Sequence, residues 1–570
     1  MSPSLWQFFS AVSAAVPGRN AIWMHDRRIS FGDLHERASR FAGVLASHGF
    51  GVQCERSELR DWECGQDTVA LYLLNGPEFI EANLGGYGAR TAPFNVNWRY
   101  VASELAYLLN NADAAVVVYH QRFAPTLAEV LPELKRQPLL IQVADGSGEA
   151  LLPGALDYEA ALAAADPAGD LRTSSDDCFL LYSGGTTGMP KGVLWRQEDI
   201  WQGVLRDPGL RKDADPSAAA AYAAGRTPER GLIGPPLIHG AGQWQALQGL
   251  FKGDSIAFLA RSDRLDPVDF WTTVEQAGVN KSILVGEAFA RPLLDEYDAG
   301  KYDASSLRAV VVGGAFTSQE TKERFIASFP DVLIYDSAGS SESGRLLRKV
   351  TTKTARPASF SLFDHSTVLD PEKTRRLAPG EEQDGWLAGS GHIPLGYLGD
   401  EQKTKATFVH AEGRRWSIPG DRARLLKDGA VELLGRDSFV INTGGEKVFA
   451  EEVEQALIRQ PGVADVVVVG RPSARWGQEV TAIIALQDGA TPSDEAICRG
   501  AAETIARYKL PKAIVRVPRV ERGPNGKVDM AWARTIAMGS SEPAQTQSPA
   551  SQDALAAPQN VPGRLRALEA

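Results

Sequence analysis

The stretch Ser183-Gly184-Gly185-Thr186-Thr187-Gly188-Met189-Pro190-Lys191-Gly192 holds the residue types that most plainly do chemistry. Its unbroken run of glycine and hydroxyl residues, Ser183 to Gly188, lets backbone N–H groups and hydroxyls close around phosphate oxygens. Lys191 adds a fixed positive charge. This is not a Walker A loop, because Lys191 follows Pro190 rather than a glycine and precedes Gly192 rather than Ser or Thr. Glu342 follows the strand-like Val332-Leu333-Ile334-Tyr335 and a turn of small residues, so its carboxylate can sit at the C-terminal edge of a sheet, where open α/β sheets bind ligands. One carboxylate together with substrate phosphates is the usual way to hold Mg2+. Asp421 could accept hydrogen bonds from ribose hydroxyls, and Arg436 could donate to ribose or phosphate. Taken singly, Glu342, Asp421, Arg436 and Lys527 read as solvated surface charges, and His239, in an apolar stretch, also reads as a core histidine.

These residues need a scaffold, and the pattern indicates which. From Val69 to Val469, short apolar runs (69–74, 178–182, 309–312, 332–335) alternate with helical stretches, which implies parallel sheets covered by helices on both faces, an α/β fold. Residues 440–538 follow their own rhythm, α β β α β in outline, enough for a separate small α+β domain. The expected division is 1–436, 437–538 and a Ser/Pro/Gln/Ala-rich tail from 539 to 570 that reads as disordered. Residues 53–68 and 214–231 read as loop insertions.

Composition excludes several classes. The chain has 570 residues, 23% charged and 44% hydrophobic, which argues against collagen-like, coiled-coil or largely disordered chains. The net charge of −11 and the lack of a basic tract make nucleic acid an unexpected partner. No run approaches the length of a membrane span, and the first residues lack a basic signal n-region, so a cytoplasmic location is expected. Cys54, Cys64, Cys178 and Cys498 lack metal-binding spacing and read as incidental thiols.

The string Ser183 to Gly192 resembles the phosphate-loop signature of the adenylate-forming enzymes, which include acyl-CoA synthetases, peptide-synthetase adenylation domains and luciferase. Further segments resemble that family's motifs in order: Pro236 to Gly240, Gly313-Gly314-Ala315, Gly339-Ser340-Ser341-Glu342, Gly396-Tyr397, Gly420-Asp421, Gly435-Arg436 and Pro524 to Lys527. The resemblance implies a large N-terminal domain of two helix-covered sheets and a small β-barrel, with a mobile C-terminal domain.

It also implies roles. ATP or AMP would be bound by Ser183, Gly184, Gly185, Thr186, Thr187, Gly188, Lys191, Gly314, Ala315, Asp336, Ser337, Ser341, Asp421 and Arg436. Glu342 and Thr186 would hold Mg2+, and Lys527 would reach the carboxylate and α-phosphate during adenylation. His239 would act as a gate, with Gly240, Gly242, Gly313, Gly444, Gly445 and Lys447 along the acyl and CoA paths, and Asp437 or Ser438 as hinge. Ala338 stands where the family often has an aromatic residue, which leaves the adenine-stacking partner open.

The implied substrates are ATP, CoA and a small-molecule carboxylic acid, with Mg2+ as cofactor. Small residues at 240–242 and 313–315 would leave room for a fatty, steroid side-chain or isoprenoid acid. A fatty acyl-AMP ligase serving a free-standing carrier protein is the alternative, and a non-catalytic nucleotide-binding relative is a third. A homo-oligomer is compatible with the sequence, which does not fix the oligomeric state.

Overall fold

The computed structural model describes residues 2–169, 172–183, 190–313, 317–381, 383–436, 440–443, 446–473, 477–505, 507–523 and 528–539. The expected mixed α/β architecture, a large multi-sheet N-terminal portion followed by a smaller C-terminal one, is what the chain adopts.

The first sheet is five-stranded and parallel, in the order Ala92–Asn95, Thr68–Tyr72, Ala114–His120, Leu139–Val143, Leu156–Asp157. Its central strands are buried along their whole length, which is why they read as continuous apolar runs rather than alternating ones. The second is nine-stranded. In it Leu333–Ser340, Ala309–Gly313, Lys281–Leu284, Arg230–Ile233, Ser255–Phe258 and Asn20–Met24 lie parallel in that order. Antiparallel strands flank both sides of this parallel block. Helices such as Phe31–Ser47 and Pro77–Gly88 pack between the sheets. The former begins at a capping box, Ser30 Oγ accepting from Asp33 N at 3.1 Å.

Three smaller sheets complete the framework. Cys178–Ser183, Lys191–Arg196 and Gly396–Tyr397 form a three-stranded antiparallel sheet. A six-stranded antiparallel sheet contains Asp384–Ser390, Asp421–Leu425 and Val431–Arg436. The C-terminal sheet has five strands, Glu446–Phe449, Val440–Thr443, Gly477–Leu486, Val463–Ser473 and Ala513–Val517, with helices Ala450–Ile458, Asp494–Ala501 and Met530–Ala537.

Two readings are corrected. Residues 214–231 are not a plain loop: they contain the helix Pro216–Gly225, capped by Asp215 Oδ1 accepting from Ala218 N at 2.8 Å, with Ala219 and Ala223 buried. Alanine's helix propensity and proline at the first helical position account for it. The C-terminal unit gains an opening hairpin, 440–449, that the α β β α β outline lacked. Segment 53–68 does remain largely irregular, with a short 3-10 turn at Arg56–Glu58. Among the described residues no helix is long and apolar enough to cross a membrane.

Candidate active site

The hairpin of the three-stranded sheet flanks the segment expected to bind phosphate. Ser183 and Lys191 are register partners at the tip of the hairpin, so both flanks of the loop are fixed by the ladder. Residues Gly184, Gly185, Thr186, Thr187 and Gly188 lie outside the described residues. Buried Asn95, at the end of its strand, anchors this tip: its Oδ1 accepts from Tyr182 N at 2.8 Å and its Nδ2 donates to Tyr182 O at 2.8 Å. The same Nδ2 donates to Ile238 O at 2.5 Å, which ties the phosphate-loop strand to the residue before His239. Asn75 repeats the device, with Nδ2 donating to Pro235 O at 3.1 Å and Oδ1 accepting from Leu237 N at 2.6 Å. Asn75 itself follows Leu74, whose N–H donates to Nδ1 of buried His120 at 3.0 Å. Burial lowers the His120 imidazole to about 4, so this ring accepts as a neutral group.

His239 is half-buried and starts the helix Gly240–Phe251. The glycines beside it serve close packing. A Cβ at Gly242 would lie 2.6 Å from Pro236 O and 2.8 Å from Pro235 O, and one at Gly240 would crowd Leu181 and Trp244. At Gly313 it would meet Ser337 O at 3.1 Å. The expectation that small residues here leave open room for an acyl tail is therefore corrected at Gly242, whose missing side chain admits a backbone carbonyl.

Glu342 sits in the tight turn between Leu333–Ser340 and Gly344–Thr351. The turn is clamped from three directions. Trp195 Nε1 donates to Ser341 O at 3.1 Å, Ser417 Oγ donates to Glu342 O, and Tyr397 Oη donates to Glu342 Oε1 at 3.0 Å. Among the described residues Glu342 is held by the Tyr397 hydroxyl and forms no ion pair with a lysine or arginine. Among the described residues no cluster of three or more His, Cys, Asp or Glu could hold a metal alone. A single carboxylate suits Mg2+ only where substrate phosphates supply further ligands.

Lys191 opens the strand Lys191–Arg196 beside this turn. Burial, and after it the neighbouring Lys403 ammonium, pull the Lys191 amine down to about 8, against the raising influence of Asp400 and Glu342. Lys403 was not singled out from sequence. The one local signal is a lysine in the first turn of the helix Glu401–Thr407, where the helix dipole disfavours a cation.

The other expected residues fall into three groups. Asp336 and Ser337 lie on the strand beside Gly313, in register with Val312 and Gly313. Asp336 Oδ1 is paired with Lys322 Nζ at 2.7 Å, both side chains being nearly buried, while its Oδ2 is buried without a partner. Asp421 opens its strand in register with Arg436, after Gly420 at φ +106°. Ala338 packs against the cluster that contains Leu346 and Leu347. Lys447 pairs through its backbone with Asn442 in the C-terminal sheet. Gly314, Ala315, Asp437, Ser438, Gly444, Gly445 and Lys527 lie outside the described residues.

Comparison with known proteins decides the family. Residues 9–398 match the model of the AMP-binding enzyme family, and residues 452–527 match that of the AMP-binding enzyme C-terminal domain. The chain belongs to the AMP-binding enzyme family. It is 47% identical over 535 residues to the medium-chain acyl-CoA ligase Mig of Mycobacterium avium, covering 93% of this chain and 97% of that protein. It is 37% identical over 534 residues to the 3-oxocholest-4-en-26-oate–CoA ligase of Rhodococcus rhodochrous, covering 91% and 93%. The ATP-bound MatB structure from Rhodopseudomonas palustris shares the fold at TM-score 0.76 and 22% identity, covering 94% of this chain and 99% of that one. ATP and CoA are substrates of the AMP-binding ligases.

Proposed function

We propose that this chain is an AMP-forming acyl-CoA ligase acting on a hydrophobic carboxylic acid, with fatty, steroid side-chain and isoprenoid acids as the candidate class. The observation that carries the reading is the meeting of Glu342, held by Tyr397, with Lys191 at the phosphate-loop hairpin. The ligases that resemble the chain over more than nine-tenths of its length act on medium-chain and steroid acids, which supports the substrate class.

In this reading the acid's carboxylate attacks the α-phosphorus of ATP and pyrophosphate leaves. The CoA thiolate then attacks the acyl carbon of the mixed anhydride, and AMP leaves. The first step is mostly positioning and charge neutralisation. Ser183, the loop 184–188 and Lys191 cradle the phosphates, while Asp421 and Arg436 hold the ribose. Asp336, Ser337, Ser341, Gly314 and Ala315 border the nucleotide. Glu342, with Thr186, would hold Mg2+, which when bound neutralises phosphate charge. Lys527 supplies a movable cation between two like-charged reactants. His239 gates the acyl path, and Gly444, Gly445 and Lys447 line the thiol path after the domain 437–538 turns on Asp437 or Ser438. The division into 1–436, 437–538 and a tail from 539 belongs to this proposal, as does a cytoplasmic location, where ATP and CoA are supplied.

The test is kcat/KM for AMP release across acetate, octanoate, palmitate, benzoate, a steroid side-chain acid and citronellate. The reading expects an apolar acid to be preferred. Acetate or benzoate as best substrate, with long-chain and steroid acids inactive, would overturn the substrate class.

A further inference from the structure

Lys403 stands beside the strand that Lys191 opens although it lies in a different part of the chain. The strand Gly396–Tyr397 pairs antiparallel with Leu194 and Val193, and Leu398 N donates to Gly192 O at 2.8 Å, so this segment runs alongside the residues that follow Lys191. The chain then turns into the helix Glu401–Thr407, where Asp400 Oδ1 accepts from Lys403 N at 2.9 Å. The Lys403 ammonium lies 5.5 Å from the Tyr397 ring centroid, and the hydroxyl of the same ring holds Glu342. Its positive charge bears on the Lys191 ammonium and lowers it.

Two neighbouring ammonium groups repel each other, and among the described residues neither has a compensating ion pair. Lys252, Lys322, Lys405 and Lys509 each pair with a carboxylate, whereas among the described residues Lys191 and Lys403 do not. Asp400 and Glu342 act on Lys191 only through space. A convergent pair of cations with no carboxylate partner among the described residues suits a polyanion that spans both charges.

We propose that Lys403 and Lys191 form a two-ammonium clamp for the β- and γ-phosphates of ATP, Lys403 being a binding residue for the departing pyrophosphate. As the substrate carboxylate bonds to the α-phosphorus, the bond from that phosphorus to the bridging oxygen breaks. Its electron pair stays on the pyrophosphate, where the clamp stabilises the new charge. This inference rests on the adenylate-forming reading above.

The test uses the full chain and its Lys403→Ala, Lys403→Gln and Lys403→Arg variants. With octanoate, CoA and Mg2+, Lys403→Ala is expected to raise KM for ATP and the inhibition constant of pyrophosphate together, by about tenfold or more, the loss of one charge-assisted hydrogen bond. KM for octanoate should stay within about twofold, and Lys403→Arg should recover most of the loss. Lys403→Gln keeps a polar side chain there should the alanine variant fold poorly. Magnesium pyrophosphate binding to the unliganded protein, measured by calorimetry, tests the clamp without turnover. Unchanged ATP and pyrophosphate constants in a folded variant would overturn the inference, as would a rise confined to KM for CoA. A wild-type protein that binds pyrophosphate through Lys403 yet releases no AMP with any acid would defeat the ligase reading and leave the clamp standing.

Discussion

Removing the Tyr397 hydroxyl isolates what Glu342 does. Tyr397 Oη donates to Glu342 Oε1 at 3.0 Å from a ring that is only 4% exposed and packs 6.1 Å from Phe408. Tyr397→Phe keeps the ring, its packing and its contact with Lys403, and deletes one hydrogen bond to a charged acceptor. Such a bond contributes about 1.5–3 kcal/mol net, equivalent to about 10- to 150-fold in an equilibrium constant. Only the orientation of the carboxylate is lost, not its charge, so the lower end, about tenfold, is expected. The assay is AMP release titrated with Mg2+ at fixed ATP. The half-saturating Mg2+ concentration should rise by that factor while KM for the acid holds. Glu342→Gln alone and combined with Tyr397→Phe should give strongly non-additive losses, because the hydroxyl acts through the carboxylate. A Mg2+ titration that superimposes on wild type, at an unchanged thermal transition, would refute Glu342 as the cation ligand.

Three further outcomes follow from named contacts. Asn95→Ala orphans Tyr182 N, Tyr182 O and Ile238 O, at about 1–3 kcal/mol for each buried group left unpaired, so the melting temperature should fall and KM for ATP should rise; an unchanged melt would show that the tether is dispensable. Because the Lys191 amine is lowered to about 8, nucleotide binding should draw a proton onto it. KM for ATP should then be flat on the acid side of that value and rise on the alkaline side, and Lys191→Arg should flatten the profile. Lys527→Ala should lose acyl-adenylate formation by a large factor while still making thioester from supplied acyl-adenylate; equal loss of both would point to misfolding or another role.

How much could be read from the sequence depended on whether the signal was local. The phosphate loop is a contiguous string, and the fully buried parallel strands announce themselves as apolar runs. The order of the motifs carried the family. The helix Pro216–Gly225 was missed because its alanines and flanking prolines resemble a linker, although only two of its residues, Ala219 and Ala223, are the buried ones that hold it. Asn75 and Asn95 were invisible for a different reason. Each is a single polar residue, Asn95 at a strand end and Asn75 in the bend after one, and its importance lies in carbonyls brought to it from distant segments by the fold. Lys403 likewise acquires its neighbour Lys191 only when the Gly396–Tyr397 strand docks. Side-chain volume misled at Gly242, where absence of a Cβ accommodates a backbone approach rather than a ligand.

The most direct test of the central claim is turnover with octanoate, ATP and Mg2+, measured with CoA and again without it. An acyl-CoA ligase releases AMP continuously and forms octanoyl-CoA in equal amount only when CoA is present. Pyrophosphate release indifferent to CoA, with octanoyl-adenylate accumulating, would contradict the claim and assign the acyl group to a carrier protein instead.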